Sequence, residues 1–341
     1  MINLFGSFLV PLLLSASIFL QIGVLAAEAQ QTSTPVNLKV VTFPFLSFAP
    51  LYISQEEGFF EEQGLRVEFL KMSDRDAIPA LVRGDIDVGA IMLSTNYFNA
   101  MSRGASIKIV AEKGHFSSPG CVSGAIIARK TVYESGEMQN PSQLKGRVLD
   151  VRRGSYQDYI MDKLFNEAGL TFDDVKLVDI SPPGALGALR MGEIDVTLAA
   201  EPWLTRLVKA GDAVVWIPYR RIIPGFEHAF ILFGPNLLEK TPDVGKRFMI
   251  AYLKGVRQAS QGKTPRNLEI VIKNTRMDRE LLQNICWRKW RQDGWIDTKA
   301  MLDFQDWAIK MGLLDRKIPV DRFWDPRFVE HANKVIGAPP K

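Results

Sequence analysis

The sequence predicts an α/β protein with two similar βαβ lobes, and three observations lead to this prediction. A phrase from the first half, Ala80-Leu81-Val82-Arg83-Gly84-Asp85-Ile86-Asp87-Val88, returns as Ala188-Leu189-Arg190-Met191-Gly192-Glu193-Ile194-Asp195-Val196. The repeat extends upstream, where residues 60–65 resemble residues 165–170. Each copy alternates helix-like with strand-like segments, which favours largely parallel sheets. Two copies are too few for a solenoid, so they indicate paired lobes with a ligand cleft between them.

Each copy of the repeat can be divided into the same elements. A first helix ends at Gly64 or at Gly169, because glycine accepts the left-handed conformation that stops a helix. A strand follows, and then a second helix that ends at the glycine of the repeated phrase. The next strand begins beside an acidic turn. We predict that Asp87 and Asp195 in these turns accept backbone N–H bonds and have no catalytic role.

The remaining elements follow from apolar alternation and from turn residues. The strand over residues 124–129 is predicted to carry the chain into the second lobe, and the strand over 230–233 to carry it back. From Thr241 onward the apolar residues have helical spacing, and this tail is predicted to pack around the first lobe. The other predicted elements are strands over 37–43, 106–112 and 148–151 and a helix over 157–168.

Composition excludes several classes of function. A chain of 341 residues with 47% hydrophobic content suits a globular protein of two domains. The net charge of +4 is too small to indicate a nucleic-acid-binding protein. The three histidines are scattered without metal-ligand spacing, so neither a metal nor a cofactor is expected. Cys121 and Cys286 are predicted to be two separate buried thiols, with a disulfide between them as the alternative.

The N-terminus has the pattern of a secretory signal peptide. Residues 4–20 are almost wholly apolar, Ala27-Glu28-Ala29 offers a small-x-small cleavage site, and a polar linker follows. We predict a signal peptide over 1–29, cleavage near Ala29 and a soluble periplasmic protein. The n-region lacks Lys and Arg, and the apolar run is long enough for a membrane anchor, which is the alternative.

Several motifs resemble the SsuA/THI5-like (NMT1-like) family of ABC transporter substrate-binding proteins, over roughly residues 37 to 260. The motifs are the run over residues 49–60 (Ala-Pro-Leu-Tyr-Ile-Ser-Gln-Glu-Glu-Gly-Phe-Phe), Ala80-Leu81 with Gly84-Asp85-Ile86-Asp87, Leu144-Lys145-Gly146 with Gly154-Ser155, and Glu201-Pro202-Trp203.

The resemblance implies a type II periplasmic-binding-protein fold, with two βαβ lobes joined by two crossover strands that close around a ligand. Lobe I is then expected over 36–123 and 231–341, and lobe II over 124–230. It also implies the role of a solute-binding protein that delivers a small molecule to the permease subunits of an ABC importer. We expect such an exported protein to be monomeric and to have no catalytic residues. The ligand would be a planar heteroaromatic such as a thiamine pyrimidine precursor, an alkanesulfonate or nitrate-type anion, or an aromatic carboxylate.

Ligands of open parallel sheets bind at the carboxyl ends of strands, where helix N-termini present free N–H groups. Four loops of this chain meet that rule, two from each lobe, over residues 44–48, 93–97, 153–156 and 200–203. The predicted ligand-binding residues in these loops are Phe45, Ser47, Phe48, Ser94, Thr95, Arg153, Ser155, Tyr156, Glu201 and Trp203.

These residues offer hydroxyls, flat apolar rings, one carboxylate and one positive charge. Only one of Arg152 and Arg153 can face the cleft if the segment is extended. Ser155 has an alternative role as a helix N-cap, and Glu201 as a turn residue. In the pyrimidine-binding branch of the family the glutamate of the Glu-Pro motif pairs with the aminopyrimidine, which favours a ligand contact for Glu201.

The rival hypothesis is an enzyme, because the THI5 branch of the family includes a pyrimidine synthase. That branch carries a cysteine-rich CCCFC motif, which this chain lacks. We therefore expect a binding protein with no catalytic activity.

Overall fold

A computed structural model of the chain describes residues 1–2, 34–116 and 120–339. The predicted signal peptide over 1–29 therefore lies almost entirely outside the described residues. In the described part of the chain, no helix is both long enough and apolar enough to cross a membrane.

The described residues contain two five-stranded sheets of the same design. The first sheet has the strand order β2-β1-β3-β10-β4 and the second has the order β7-β6-β8-β5-β9. The strands of the first sheet are β1 (Val36–Val41), β2 (Leu65–Leu70), β3 (Val88–Met92), β4 (Lys108–Glu112) and β10 (Ala229–Phe233). Those of the second are β5 (Gly124–Arg129), β6 (Val148–Asp150), β7 (Lys176–Val178), β8 (Val196–Ala200) and β9 (Ala213–Pro218).

Each sheet combines parallel strands from its own half of the chain with one antiparallel strand. In the first sheet β1 runs parallel to β2 and β3, whereas β10 runs antiparallel to β3 and β4. In the second sheet β6 runs parallel to β7 and β8, whereas β5 runs antiparallel to β8 and β9. The chain thus crosses between the sheets after β4 and again before β10. The predicted α/β class with two βαβ lobes is confirmed.

Helices cover the faces of both sheets. Those of the first half are α1 (Ala49–Glu56), α2 (Phe59–Glu62), α3 (Asp74–Arg83), α4 (Thr95–Ser102) and α5 (Lys130–Glu134). The second half of the fold has α6 (Tyr156–Ala168), α7 (Pro182–Met191), α8 (Trp203–Lys209) and α9 (Tyr219–Ile222). The tail carries α10 (Pro242–Ala259), α11 (Pro265–Thr275), α12 (Arg279–Asn284), α13 (Thr298–Lys310), α14 (Val320–Phe323) and α15 (Arg327–Ile336). Shorter turns are 3-10 helices at Leu46–Phe48, Pro141–Leu144 and Phe172–Asp174 and a π-helix at Asn236–Lys240.

The two acidic turns of the repeat make the same hydrogen bonds in the two sheets. Asp87 accepts a bond from the backbone N–H of Lys39 at 2.8 Å. Asp195 accepts one from the backbone N–H of Val148 at 3.1 Å. In each case the carboxylate joins the end of one parallel strand to its neighbour. The prediction that both are turn carboxylates is confirmed.

The tail packs against the helices beside the first sheet, as its apolar spacing predicts. Helix α10 lies against α1, and Gly255 of α10 makes this close approach feasible, because an added Cβ would lie 2.2 Å from Ser54 Oγ. Ser54 Oγ donates across the contact to the Ala251 carbonyl at 2.9 Å. The contact is therefore a tight backbone-to-backbone packing of two helices, and it anchors the tail.

A non-helical stretch of the tail, residues 285–297, reaches the part of the chain that begins the second sheet. We call it the hinge strap. Its Cys286 forms a disulfide with Cys121, which lies just before β5. The prediction of two separate thiols is wrong. Lone cysteines far apart in sequence carry no local signal of pairing, and only the return of the tail brings the two together.

Candidate functional site

The loops predicted to bind ligand lie at matching edges of the two sheets. Val40 of β1 pairs with Val88 of parallel β3, so the loops that follow these strands share one edge of the first sheet. Leu149 of β6 pairs in the same way with Val196 of β8 in the second sheet. Carboxyl strand ends with the helix N-termini that follow them are the usual place for a ligand in such sheets.

The two edges touch each other through their backbones. Ser94 and Ser155 form an isolated antiparallel bridge. Thr95 N donates to Gly154 O at 2.8 Å, and Tyr156 N donates to Leu93 O at 3.0 Å. An added Cβ on Gly154 would lie 2.7 Å from Thr95 Oγ1, so only glycine permits this approach. The two loops therefore join the carboxyl edges of the two sheets directly.

The hydroxyl of Ser155 is used within its own lobe. It is the N-cap of α6, accepts from Gln157 N at 3.2 Å and donates to the Arg152 carbonyl at 2.7 Å. These contacts match the predicted alternative, an N-cap residue.

The two arginines before this cap both contact side chains near the second sheet. Arg153 donates to Asp158 at 2.7 Å and lies 4.1 Å from the Phe172 ring, while Arg152 lies 3.5 Å from Asp179. Burial raises the pKa of the Asp158 carboxyl to about 6, although the Gly154 N–H and the Arg153 charge oppose this shift. Arg153 and Asp158 form a local pair that supports the loop.

Glu201 is buried in contacts with the protein itself. Its carboxylate accepts from Thr205 Oγ1 at 2.8 Å, from Thr205 N at 3.2 Å and from Cys286 N of the hinge strap at 3.2 Å. Burial raises the pKa of this carboxyl, against the effect of these bonds. The side chain supports the first turn of α8 and joins the second layer to the strap. Trp203 is half-buried, with the Arg206 guanidinium 4.8 Å from its ring.

The first loop contributes buried groups to the same region. Ser47 and Phe48 are buried, whereas Phe45 is half-buried and lies 6.3 Å from the Phe43 ring. Lys113 donates to Ser47 Oγ at 3.3 Å, and its ammonium lies 3.6 Å from the Phe48 ring centroid.

Sequence reasoning missed a buried cluster on the crossover segments, which we call the hinge cluster: Lys113, Phe116, Tyr219, His228 and Arg288. Lys113 and Phe116 follow β4, Tyr219 and His228 precede β10, and Arg288 belongs to the hinge strap. The Phe116 ring stacks on His228 at 3.9 Å and meets Tyr219 edge-on at 4.8 Å. Tyr156, which the sequence did predict, lies 5.3 Å from His228. A lysine and a histidine flanking buried strands were the available signal.

The imidazole of His228 is neutral. Burial, followed by the charges of Arg288 and Lys113, lowers its pKa well below the usual value. Arg288 Nη1 lies 2.8 Å from His228 Nε2, and because a guanidinium only donates, Nε2 accepts and the proton is on Nδ1. His228 therefore presents Nδ1–H as a donor.

Acidic residues occupy the outer end of the crossovers. Glu112 lies 3.0 Å from His115 Nδ1 and accepts from Arg291 N of the hinge strap at 3.1 Å. Glu227 accepts from Asp297 N at 2.8 Å. Burial, and then the charge of Glu112, raises the pKa of Glu227 to about 8. In the part of the chain that the structure describes, no group of three or more His, Cys, Asp or Glu side chains could hold a metal ion.

A protein-family model described as NMT1/THI5 like matches residues 46–262. The chain belongs to the NMT1/THI5-like family. Among curated relatives, a putative thiamine biosynthesis protein of Haemophilus influenzae is 20% identical over 62% of this chain and 63% of its own length. This chain thus spans somewhat less than two thirds of that relative. A putative aliphatic sulfonates-binding protein of Bacillus subtilis is 23% identical over 84% of this chain and 85% of its own.

Solved structures show the same fold at low sequence identity. The periplasmic nitrate-binding protein NrtA from Synechocystis PCC 6803 superposes with a TM-score of 0.75 at 16% identity and 89% coverage of both chains. The ligand-binding component of an ABC-type import system from Staphylococcus aureus, solved with zinc bound, gives 0.72 at 17% identity, over 87% of this chain and 99% of its own. The type II periplasmic-binding-protein fold implied by the sequence motifs is confirmed for this NMT1/THI5-like chain.

Proposed function

We propose that this chain is the solute-binding component of an ABC importer and that it holds a small organic molecule in the cleft between its two sheets. The observation that carries the proposal is the contact between the Ser94 and Ser155 loops, which brings the carboxyl edges of both sheets together. Hinge-bending proteins close in this way around a ligand. Family membership and the name of the sulfonates-binding relative agree with this role.

The ligand site is proposed to be lined by the predicted loops and by the hinge cluster. Ser47, Phe48 and Tyr156 lie against that cluster and are its natural partners. Phe45, Ser94, Thr95, Arg153, Ser155, Glu201 and Trp203 stay as proposed lining residues. We also propose residues 36–123 and 231–341 as lobe I and residues 124–230 as lobe II. Nine of the ten strands lie wholly in the lobe that contains their sheet, and β10 of the first sheet begins two residues before the proposed boundary.

Three ligand classes fit the family: planar heteroaromatics, alkanesulfonate or nitrate-type anions, and aromatic carboxylates. The carboxylate of Glu201 already holds three donors of the protein. An aminopyrimidine would have to replace some of them in order to pair with it. The contacts of Glu201 therefore weigh against the pyrimidine class.

The protein is proposed to act in the periplasm as a monomer, after cleavage near Ala29, and to deliver its ligand to permease subunits. The Cys121–Cys286 disulfide supports export, because disulfides persist in oxidising compartments. It also weighs against the alternative, a THI5-like enzyme with a cysteine-rich CCCFC motif, since neither cysteine of this chain is a free thiol. We propose that the chain has no catalytic activity.

A thermal-shift screen with one member of each ligand class tests the proposal. A cognate ligand at a hundredfold excess over its Kd should stabilise the fold by about 2.7 kcal/mol. The variant Tyr156→Ala removes a ring of the cleft and should lose most of the ligand-induced shift, whatever its own unfolding midpoint. Tyr133→Ala is the matched control, because Tyr133 lies in α5 and is not one of the proposed lining residues. Equal ligand-induced shifts in both variants would place the ligand elsewhere.

A further inference from the structure

The hinge strap runs along the two crossovers and bonds to each of them. Glu112 N at the end of β4 donates to Gly294 O at 3.0 Å, and Lys289 forms a bridge with His115. Asp297 N donates to Glu227, which precedes β10. The Cys121–Cys286 disulfide fixes the start of the strap to the residues just before β5. The strap is therefore a fixed wall of the hinge, and it lies beyond residues 46–262, the part that the family model matches.

This wall carries a buried arginine, Arg288, that forms no salt bridge within the described part of the chain. Arg288 is 2% exposed, and burial lowers the pKa of its guanidinium, while the charges of Tyr156, Glu112 and Glu201 act from a longer distance in the opposite direction. Its Nη1 donates to the neutral imidazole of His228. In the described part of the chain Arg288 Nε and His228 Nδ1 have no hydrogen-bond partner, although both atoms are buried. Burying a cation with an unused donor is unfavourable unless another group compensates it.

The surroundings make room for the guanidinium. An added Cβ on Gly114 would lie 2.7 Å from Arg288 Cδ, so the crossover backbone is bare at this point. The Arg288 guanidinium carbon lies 5.5 Å from the Phe116 ring centroid, on the aromatic surface that His228 also covers. The arginine is thus held in place on a rigid surface while part of its donor capacity stays unused.

We propose that Arg288 of the hinge strap is a ligand-binding residue and that, with Nδ1–H of His228, it receives an oxyanion group of the ligand. The proposal rests on the proposed function, because it assigns the chemistry of that same cleft. A carboxylate and a sulfonate each present at least two oxygens, and a guanidinium can donate to two of them at once. The flat rings of Phe116 and Tyr156 favour a ligand whose oxyanion group is attached to an aromatic ring.

Matched acids and amides distinguish the charge from the shape of the ligand. Benzoate, benzenesulfonate and inorganic sulfate are titrated calorimetrically into the wild-type protein, together with the neutral isosteres benzamide and benzenesulfonamide. At least one of the anions should bind, and its isostere should bind about ten- to a hundredfold more weakly. The better anion shows whether a carboxylate or a sulfonate is received. Binding of none of the three anions, or equal binding of acid and amide, would overturn the anion site.

Arg288→Met separates a ligand contact from a structural role. It should weaken the binding of that anion by the same ten- to a hundredfold. The ligand-free variant should unfold at or above the wild-type midpoint, because an apolar side chain replaces a buried charge that forms no salt bridge in the described part of the chain. Lys289→Met is the control in the same strap, since Lys289 is exposed, and it should change neither quantity.

Three outcomes with the Arg288→Met variant contradict the proposal. Retained anion affinity in Arg288→Met shows that Arg288 does not contact the ligand. A variant that fails to fold shows a structural arginine, and the acid-to-amide ratio of the wild type then decides whether an anion is bound at all. Tight binding of a neutral probe that Arg288→Met leaves unchanged would remove the anion site and leave the proposed function intact.

Discussion

Removing the Cys121–Cys286 disulfide should lower the free energy of unfolding by about 2–5 kcal/mol. The bond closes a loop between residues 165 positions apart, so its loss gives the unfolded chain much more freedom. Breaking the bond also releases the hinge strap from Cys121, just before β5, and this destabilises the folded state. This is one of the two largest effects that we expect from changes to the chain.

Denaturant unfolding of the oxidised protein, the reduced protein and the double variant Cys121→Ser/Cys286→Ser measures this effect. The reduced protein and the variant should agree, and reducing agent should not change the variant. Titration of two free thiols in the native, oxidised protein, or equal stability of all three samples, would show that the bond does not contribute.

Raising the pH from 5 to 9 should destabilise the protein through Glu227. Burial raises the pKa of this carboxyl from 4.5 to about 8, so the folded protein holds its proton at a pH where the unfolded chain has lost it. The sign follows from linkage: the folded state binds more protons between these two values, and stability falls as pH rises through that window. One pKa unit corresponds to about 1.4 kcal/mol, so the full loss is on the order of 4 kcal/mol.

Glu227→Gln isolates this contribution. The amide oxygen can still accept from Asp297 N but carries no charge, so the variant should lose less stability than wild type between pH 5 and pH 9. Glu280→Gln is the control, because Glu280 is exposed on α12. Other buried carboxyls with a raised pKa, such as Asp158, contribute equally to all three proteins and cancel in the comparison. Identical pH profiles for wild type and Glu227→Gln would contradict the assignment.

Much of the fold could be predicted from the sequence because its signals are local. Gly84 and Gly192 end their helices at φ values of 77° and 75°, as the repeated phrase predicts. The strand predicted over residues 124–129 is β5 with the same bounds. Each of these features depends on neighbouring residues and on the periodicity of a single element, which a sequence displays directly.

The contents of the site could be predicted only in part. Ser94 and Ser155 do lie where the two edges meet, but the bridge between them is made by backbone groups that side-chain chemistry does not reveal. Lys113, His228 and Arg288 come from three distant segments, and the fold alone brings them together. The pairing of the cysteines depends on the same return of the tail.

Hydrogen exchange with and without ligand tests the central claim, that a small molecule is held between the two sheets. The compound that stabilises the protein most in the screen is added at saturation, and exchange is followed by peptide mass spectrometry. We expect slower exchange in the loops over residues 93–97 and 153–157 and in the hinge strap over 285–297. Protection confined to peptides outside these segments, with the two loops unchanged, would contradict it.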